Sequence, residues 1–180
     1  MSEFAPSRFH GASGRNVVVC SDNKIRIVND GGEEIAEFDL KEDKIVASTA
    51  FGDFVVVSFS GDVSARGSEL GVLDIGAINA ETDTISERFD HDGNENDSIF
   101  KWDRRLEGFI EAIGSMEDSF IFSLKGLGIY SMGISRNGKE IEINENWRLG
   151  YPEWNGKMAA GFVDGVATIT ASDRHVQVIS

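Results

Sequence analysis

The sequence has very little cysteine, proline and positive charge. Its 180 residues include 1 Cys and 2 Pro, and 17 Lys+Arg stand against 31 Asp+Glu, which gives a formal net charge of −14. Because Cys20 has no partner for an internal disulfide, a disulfide-stapled secreted scaffold is excluded, and we expect a cytoplasmic location. The acidic excess disfavours nucleic acid and anionic membranes as partners, since both attract basic proteins. The sequence also has no apolar run of the ~18 residues that a membrane span requires.

The sequence does contain many short β-branched and aromatic runs, separated by Gly, Asp and Asn. Their length and alternation predict β-strands, and a helical period is almost absent. Turn signals such as Asp30-Gly31-Gly32, Gly52-Asp53 and Asn137-Gly138 lie between neighbouring runs and favour tight hairpins. The fold class is therefore all-β with antiparallel sheets. The predicted strands are 16–21, 24–29, 34–40, 44–50, 54–60, 70–75, 84–89, 109–115, 119–124, 127–134, 139–144, 157–163, 166–171 and 175–179.

Segments of the chain also repeat. Residues 21–28 align without a gap with 172–179, and residues 29–35 align with 135–141. A pattern of strand, acidic turn and strand recurs at 50–55, 115–120 and 161–166. The repeating unit is predicted to contain four strands, with the second strand of each unit starting near Asn16, Phe54, Ser119 and Val166.

The repeated segments resemble a known architecture. Ser21-Asp22-Asn23-Lys24-Ile25-Arg26-Ile27-Val28 resembles the turn between the second and third strands of a WD-repeat blade, and the hairpin of 29–35 resembles the approach to the outer strand. The Trp-Asp and Gly-His dipeptides of WD repeats are absent, so the resemblance is to β-propellers as a class. It implies a β-propeller-like array of four-stranded antiparallel sheets over residues 16–180, with an insertion at about 90–108. Residues 1–15 form an N-terminal segment that could supply a closing strand.

About four units allow three arrangements. The chain could be a small closed four-bladed ring, half of a larger ring completed by a second copy or another protein, or a fragment of a longer chain.

Two aromatic stretches are the predicted partner-binding residues. Residues 99–109 combine aromatic side chains with the only local basic cluster, and residues 147–154 are interpreted as a loop between the third and fourth units. Aromatic and arginine side chains are enriched at interaction hot spots, although packing within the propeller would also explain them. The predicted binding residues are Trp102, Arg104, Arg105, Trp147, Tyr151 and Trp154.

An enzymatic site is not indicated. The three His residues are scattered, no Gly-x-Ser-x-Gly elbow is present, and no catalytic residue, cofactor or metal ligand is predicted. We therefore expect a non-enzymatic interaction module or scaffold that binds a protein partner or a second copy of itself.

The alternative is a propeller enzyme or a metal-binding or ligand-binding propeller, with carboxylates such as Asp22, Asp53, Asp118 and Asp173 in a central channel. The acidic loop 90–98 is interpreted as solvated, with a weak Ca²⁺ site as its alternative.

Overall fold

The structure is a computed structural model that describes residues 6–12, 15–20, 24–39, 44–60, 67–77, 100–138, 140–150, 158–163, 166–171 and 176–179. Over these ranges the chain forms β-strands and turns, with one short 3₁₀ turn at Ile75–Ala77 and no α-helix. The described residues contain no helix long and apolar enough to cross a membrane.

Four antiparallel sheets follow one another along the chain, and each is a meander in which strands pair in chain order. The first sheet contains β1 (Pro6–Ala12), β2 (Arg15–Cys20), β3 (Lys24–Val28) and β4 (Glu34–Asp39). The second contains β5 (Lys44–Phe51), β6 (Phe54–Ser60), β7 (Glu69–Asp74) and β8 (Trp102–Arg105). The third contains β9 (Ile110–Ser115), β10 (Ser119–Leu124), β11 (Gly128–Asn137) and β12 (Glu140–Gly150). The fourth contains β13 (Met158–Val163), β14 (Val166–Ala171) and β15 (Val176–Ile179).

The four-stranded repeat is confirmed. The strands β2, β6, β10 and β14 are the second strands of their sheets, as predicted. Equivalent repeats occupy equivalent places: the aligned residues 24–28 and 176–179 are third strands, and 29–35 and 135–141 each connect a third strand with a fourth. The predicted turns are confirmed at Gly32, Gly52 and Gly138, where the backbone adopts the positive φ that glycine tolerates.

One prediction was wrong. The sequence predicts a connecting loop at residues 147–154, but Trp147–Gly150 belong to β12, which pairs with β11 as far as Gly128. The long partner strand β11 supplies the hydrogen bonds that extend β12, and local composition does not show this. The segment Trp102–Arg105, within the predicted insertion, forms β8 and pairs with β7. The predicted strand 84–89 and the acidic loop 90–98 lie outside the described residues.

The described residues form three apolar clusters, one between each pair of consecutive sheets. The first cluster joins Ile25 and Phe38 of the first sheet to Val55 and Phe59 of the second. The second cluster lies between the second and third sheets, and the third cluster lies between the third and fourth. The strands in the middle of the array are consequently buried on both faces. Members of the second and third clusters are Val56, Leu70, Phe120, Phe122 and Met132, and Ile121, Ile129 and Ile169, respectively.

A glycine opens space for an aromatic ring in the first cluster. The ring of Phe100 lies over Gly71, where a Cβ atom would overlap it. Phe100 stacks on Phe59 with 5.5 Å between ring centroids, and both side chains are buried. Gly71 thus allows the segment before β8 to be packed against the second sheet.

The first strands of the sheets lie side by side and define two rims. Strand β9 contacts both β5 and β13, and β5 contacts β1. Strand β8 brings the chain back to the end at which β5 begins, and only residues 106–109 separate it from β9. The first strands therefore start at one common rim, which we call the upper rim, and end at the lower rim.

Replacing three buried serines by alanine should change the free energy of unfolding in opposite directions. The hydroxyls of Ser58 and Ser123 are buried without a hydrogen-bond partner among the described residues, whereas the equally buried Ser68 hydroxyl accepts the N–H of Ile110 at 3.0 Å. Replacing an unpaired buried hydroxyl removes a desolvation penalty, but removing an acceptor leaves a buried donor unpaired. We expect Ser58→Ala and Ser123→Ala to raise the free energy of unfolding by about 1 kcal/mol each, and Ser68→Ala to lower it by about 1–3 kcal/mol. Urea titrations measure all three, and equal signs would contradict the assignment.

A second test concerns acid stability. Glu37 on β4 accepts hydrogen bonds from Lys24 Nζ at 2.7 Å and from Arg26 Nε on β3, and its pKa is lowered chiefly by Lys24 and also by Arg26, although desolvation opposes the shift. A carboxylate with a lowered pKa contributes stability that is present above its unfolded-state pKa, about 4.3, and is lost as the pH falls through the folded-state value. Glu37→Gln should remove up to about 1 kcal/mol at pH 7 and flatten the stability curve below about pH 4.3.

The control for this test is Glu34→Gln. Glu34 lies on β4, like Glu37. Its side chain is half exposed, and it contacts Arg26 Nε at 3.4 Å. Below about pH 4.3, we expect the free energy of unfolding of Glu34→Gln to fall more steeply with decreasing pH than that of Glu37→Gln. Identical curves for the two variants, measured by urea unfolding between pH 3 and pH 7, would refute the role of Glu37.

Candidate interaction surface

The structure separates the predicted binding residues. Trp102, Arg104 and Arg105 lie on β8, the fourth strand of the second sheet, and Trp147 lies on β12, the fourth strand of the third sheet. Tyr151 and Trp154 lie outside the described residues. Trp102 is partly buried against the second cluster, whereas Trp147 is partly buried against the third. The two tryptophans therefore contribute to two different inter-sheet spaces.

A β-bulge accounts for the position of Trp147. Trp147 pairs with Ser131, but Glu145 pairs with the next residue of β11, Met132, so that Asn146 is an extra residue. An inserted residue reverses the alternation of a strand. Ile141 and Ile143, before the bulge, pack against the second cluster, and Trp147, after it, packs against the third. The Asn146 amide lies near Gly133 and donates to Ser131 Oγ at 3.4 Å.

Two exposed apolar side chains lie on neighbouring loops at the upper rim. Phe109 and Leu127 have relative exposures of 50% and 51%. Phe109 lies in the connection between β8 and β9, and Leu127 lies in the turn between β10 and β11. The Lys125 N–H donates to the Phe109 carbonyl at 2.9 Å, and the Leu127 side chain lies over the backbone of Gly108. The loops that carry Phe109 and Leu127 are therefore in contact, and we refer to their two exposed side chains as the apolar patch.

Hydrogen bonds fix the connection that carries Phe109. Ser68, just before β7, accepts the Leu106 N–H at 2.9 Å through its carbonyl and donates its own N–H to the Gly108 carbonyl at 2.9 Å. Its hydroxyl also accepts the Ile110 N–H. Because three bonds to Ser68 hold residues 106–110, the exposed Phe109 is presented on a fixed backbone.

Basic side chains flank the apolar patch. Arg104 and Arg105 are exposed and have no ion-pair partner within the described part of the chain. Arg104 lies two residues beyond Trp102 and so faces the space between the second and third sheets. Arg148 faces the same space from β12, since it pairs with Tyr130, which packs on the second cluster. The Arg148 side chain is 72% exposed.

We call this area the upper-rim surface. It consists of Arg104, Leu106, Phe109, Leu127, Tyr130 and Arg148.

A series of aromatic rings underlies the upper-rim surface. Tyr130 stacks on Phe122 with 5.2 Å between centroids, and Phe122 stacks on Phe120 at 6.0 Å. Phe120 in turn stacks on Phe51 at 6.5 Å, and Phe51 contacts Phe54 near the lower rim. The rings fill the interface between the second and third sheets from one rim to the other, so the upper-rim surface rests on a packed base.

The described residues of the lower rim include many carboxylates. Lys101 and Arg136 lie at this end, and Arg136 pairs with two carboxylates. Its guanidinium contacts Asp74 at 2.6 Å and Asp53 at 3.5 Å, and it lies 5.5 Å from the centre of the Phe54 ring. The acidic residues in the turns and strand ends of this rim are Asp30, Glu33, Asp53, Glu117, Asp118, Glu140 and Glu142.

The carboxylates proposed for an enzymatic channel are only partly described. Asp53 lies in the turn between β5 and β6 and pairs with Arg136, whereas Asp118 is exposed in the turn between β9 and β10. Asp22 and Asp173 lie outside the described residues, as does the acidic loop 90–98. Within the described ranges, no group of three His, Cys, Asp or Glu side chains is placed to hold a metal ion.

Sequence reasoning placed Phe109 in the basic and aromatic stretch but did not identify Leu127. Leu127 lies in the segment Gly126-Leu127-Gly128, and an apolar residue in a turn between two glycines has little local backbone or side-chain cover. This exposed position was the available signal. The pairing of Leu127 with Phe109 depends on the contact between two loops and has no counterpart in the sequence.

Comparisons with known proteins bear on the fold alone. No protein-family model matches the chain, and no curated protein matches it either. The computationally designed Ika4 protein is similar in structure, with 14% identity and a TM-score of 0.56, over 99% of this chain and 92% of that one.

Two natural proteins are similar over part of their length. The β-propeller domain of Myceliophteria thermophila Cps50 (Swd1) has 6% identity and a TM-score of 0.60, over 98% of this chain and 51% of that one. BBS1N, whose structure was determined in complex with ARL6DN, has 12% identity and a TM-score of 0.58, over 99% of this chain and 52% of that one. The chain thus spans about half the length of these natural relatives. Together with the consecutive meanders, these similarities show a β-propeller fold with degenerate WD-repeat-like blades.

Proposed function

We propose that the protein is a non-enzymatic interaction module that binds a partner protein through the upper-rim surface. The observation that carries the proposal is the exposure of Phe109 and Leu127 on two neighbouring loops with Arg104 and Arg148 nearby; hydrogen bonds to Ser68 fix the loop of Phe109. Aromatic and arginine side chains, such as Phe109 and Arg104, are enriched at protein interfaces. The rigid base of stacked rings reduces the entropy that a binding partner would have to overcome.

Similar structures are compatible with this role. BBS1N is seen in complex with ARL6DN, and another similar structure contains S. cerevisiae Dbp5 bound to Nup159. The alternative of catalysis has less support in the described residues, because Asp53 pairs with Arg136 and Asp118 is exposed in a separate turn of the lower rim. The proposed occupant is a different protein, and a second copy of the chain is the competing outcome.

The test removes the exposed apolar pair. A Phe109→Ser, Leu127→Ser double variant should bind a purified partner about 10-fold more weakly or worse than the wild type, because both side chains would be buried on binding. The partner is first isolated by quantitative affinity capture with the wild-type chain, and its affinity is then measured by calorimetry. Both replaced side chains are half exposed, so thermal unfolding of the variant should match that of the wild type.

The matched control is Val178→Ser. Val178 on β15 is 61% exposed and lies in the fourth sheet, away from the upper-rim surface of the second and third sheets. This variant should bind within about 2-fold of the wild type, as expected for a residue outside the interface. Unchanged binding by the double variant would disprove the proposed surface. Light scattering tests the competing outcome. A wild type that is a dimer and a double variant that is a monomer would mean that the surface joins two copies.

A further inference from the structure

We propose that the upper-rim surface recognises an acidic segment with interspersed apolar side chains in its partner. This inference rests on the proposed function and specifies its partner. The first support is the local charge: Arg104 and Arg148 face the same space between the second and third sheets, and Lys125 lies beside the apolar patch. Among the described residues Arg104 has no ion-pair partner, and Arg148 pairs with Glu145 at 3.9 Å.

The net charge of −14 does not cancel this local attraction. The described acidic turns at the lower rim lie one strand length away from the upper-rim surface. A strand of six residues is about 20 Å long, whereas charges are screened over about 8 Å at physiological ionic strength. A ligand at the upper rim therefore interacts chiefly with the charges of that rim, where Arg104 has no carboxylate partner within the described ranges.

The surroundings of these cations favour discrete carboxylates over a continuous polyanion. Lys125 lies 3.8 Å from Glu111, and Arg148 lies near Glu145. Glu107 is also exposed between Arg105 and Phe109. A uniform phosphate chain would meet these carboxylates as well as the cations, and its binding depends on consecutive basic contacts. A peptide can place its acidic groups at the cations and its apolar groups at Phe109 and Leu127.

The test uses defined peptides and fluorescence polarisation. The first probe is a labelled 15-residue peptide in which Asp or Glu alternates with Leu or Phe. The second has Lys at every acidic position, the third has Ser at every apolar position, and a single-stranded oligonucleotide is the fourth. We expect the first probe to bind about 10-fold more tightly than the others, and its affinity to fall as salt is raised above 0.15 M.

Charge reversal locates the binding. Arg104→Glu and Arg148→Glu should each weaken the first probe about 5-fold, as expected for an exposed charge pair that becomes repulsive. The matched control is Lys101→Glu, which makes the same charge change at the lower end of the second sheet and should have less than about a 2-fold effect. Equal effects of Lys101→Glu and Arg104→Glu would mean a response to net charge, and would overturn the proposal.

The remaining outcomes separate the two proposals. If the acidic peptide does not bind, or the Lys peptide or oligonucleotide binds as well, the proposed partner chemistry is wrong. The proposed function would still stand if the Phe109→Ser, Leu127→Ser variant loses its captured partner. If the acidic peptide binds to this double variant as to the wild type, the upper-rim surface is not the binding site. A salt-sensitive oligomer abolished by Arg104→Glu would identify the occupant as a second copy and overturn the inference.

Discussion

The central constraint on this fold is that its middle sheets must be covered on both faces. All six residues of β10 are buried, as are residues 55–59 of β6. On β6, Val55 and Val57 pack toward the first sheet, whereas Val56 packs toward the third. A shift of one residue in such a strand would exchange its two faces, and both neighbouring clusters would have to be repacked. The register of the hairpins is thus fixed by two apolar interfaces at once.

The fourth strand of the third sheet, β12, covers two neighbouring sheets by means of a bulge. The bulge at Asn146 lets β12 use its first half against the second sheet and Trp147 against the fourth. A regular strand would have placed Trp147 on the same face as Ile143. At the lower rim, Arg136 extends the contact between the second and third sheets by joining Asp74 and Asp53 beside the Phe54 ring. Apolar packing in the interior and a charged group at the rim therefore hold the same pair of sheets.

The repeat made the architecture predictable, since recurring strand and turn patterns report the four-stranded unit directly. The same approach failed at the outer strands. Strand β8 has only four residues, of which Arg104 and Arg105 are exposed, and its formation depends on pairing with β7 and on the Phe100 ring over Gly71. At the end of β12, Gly150 and Pro152 predict a loop, whereas the structure continues the strand to Gly150 because β11 pairs with it; the residues there are mostly exposed, and the bulge breaks the alternation that identifies a strand.

The upper-rim surface shows why composition located the functional candidates only in part. The sequence indicated the stretch that contains Arg104 and Phe109, because basic and aromatic residues are rare together in this chain. It grouped Trp102 with Trp147, yet the bulge directs these side chains to different interfaces. It omitted Leu127 and Arg148, which approach the surface from the third sheet. A surface formed by two adjacent sheets requires their mutual packing, and that packing is set by the interior clusters. The same rings that fill the space between the second and third sheets thereby determine which exposed side chains meet at the rim.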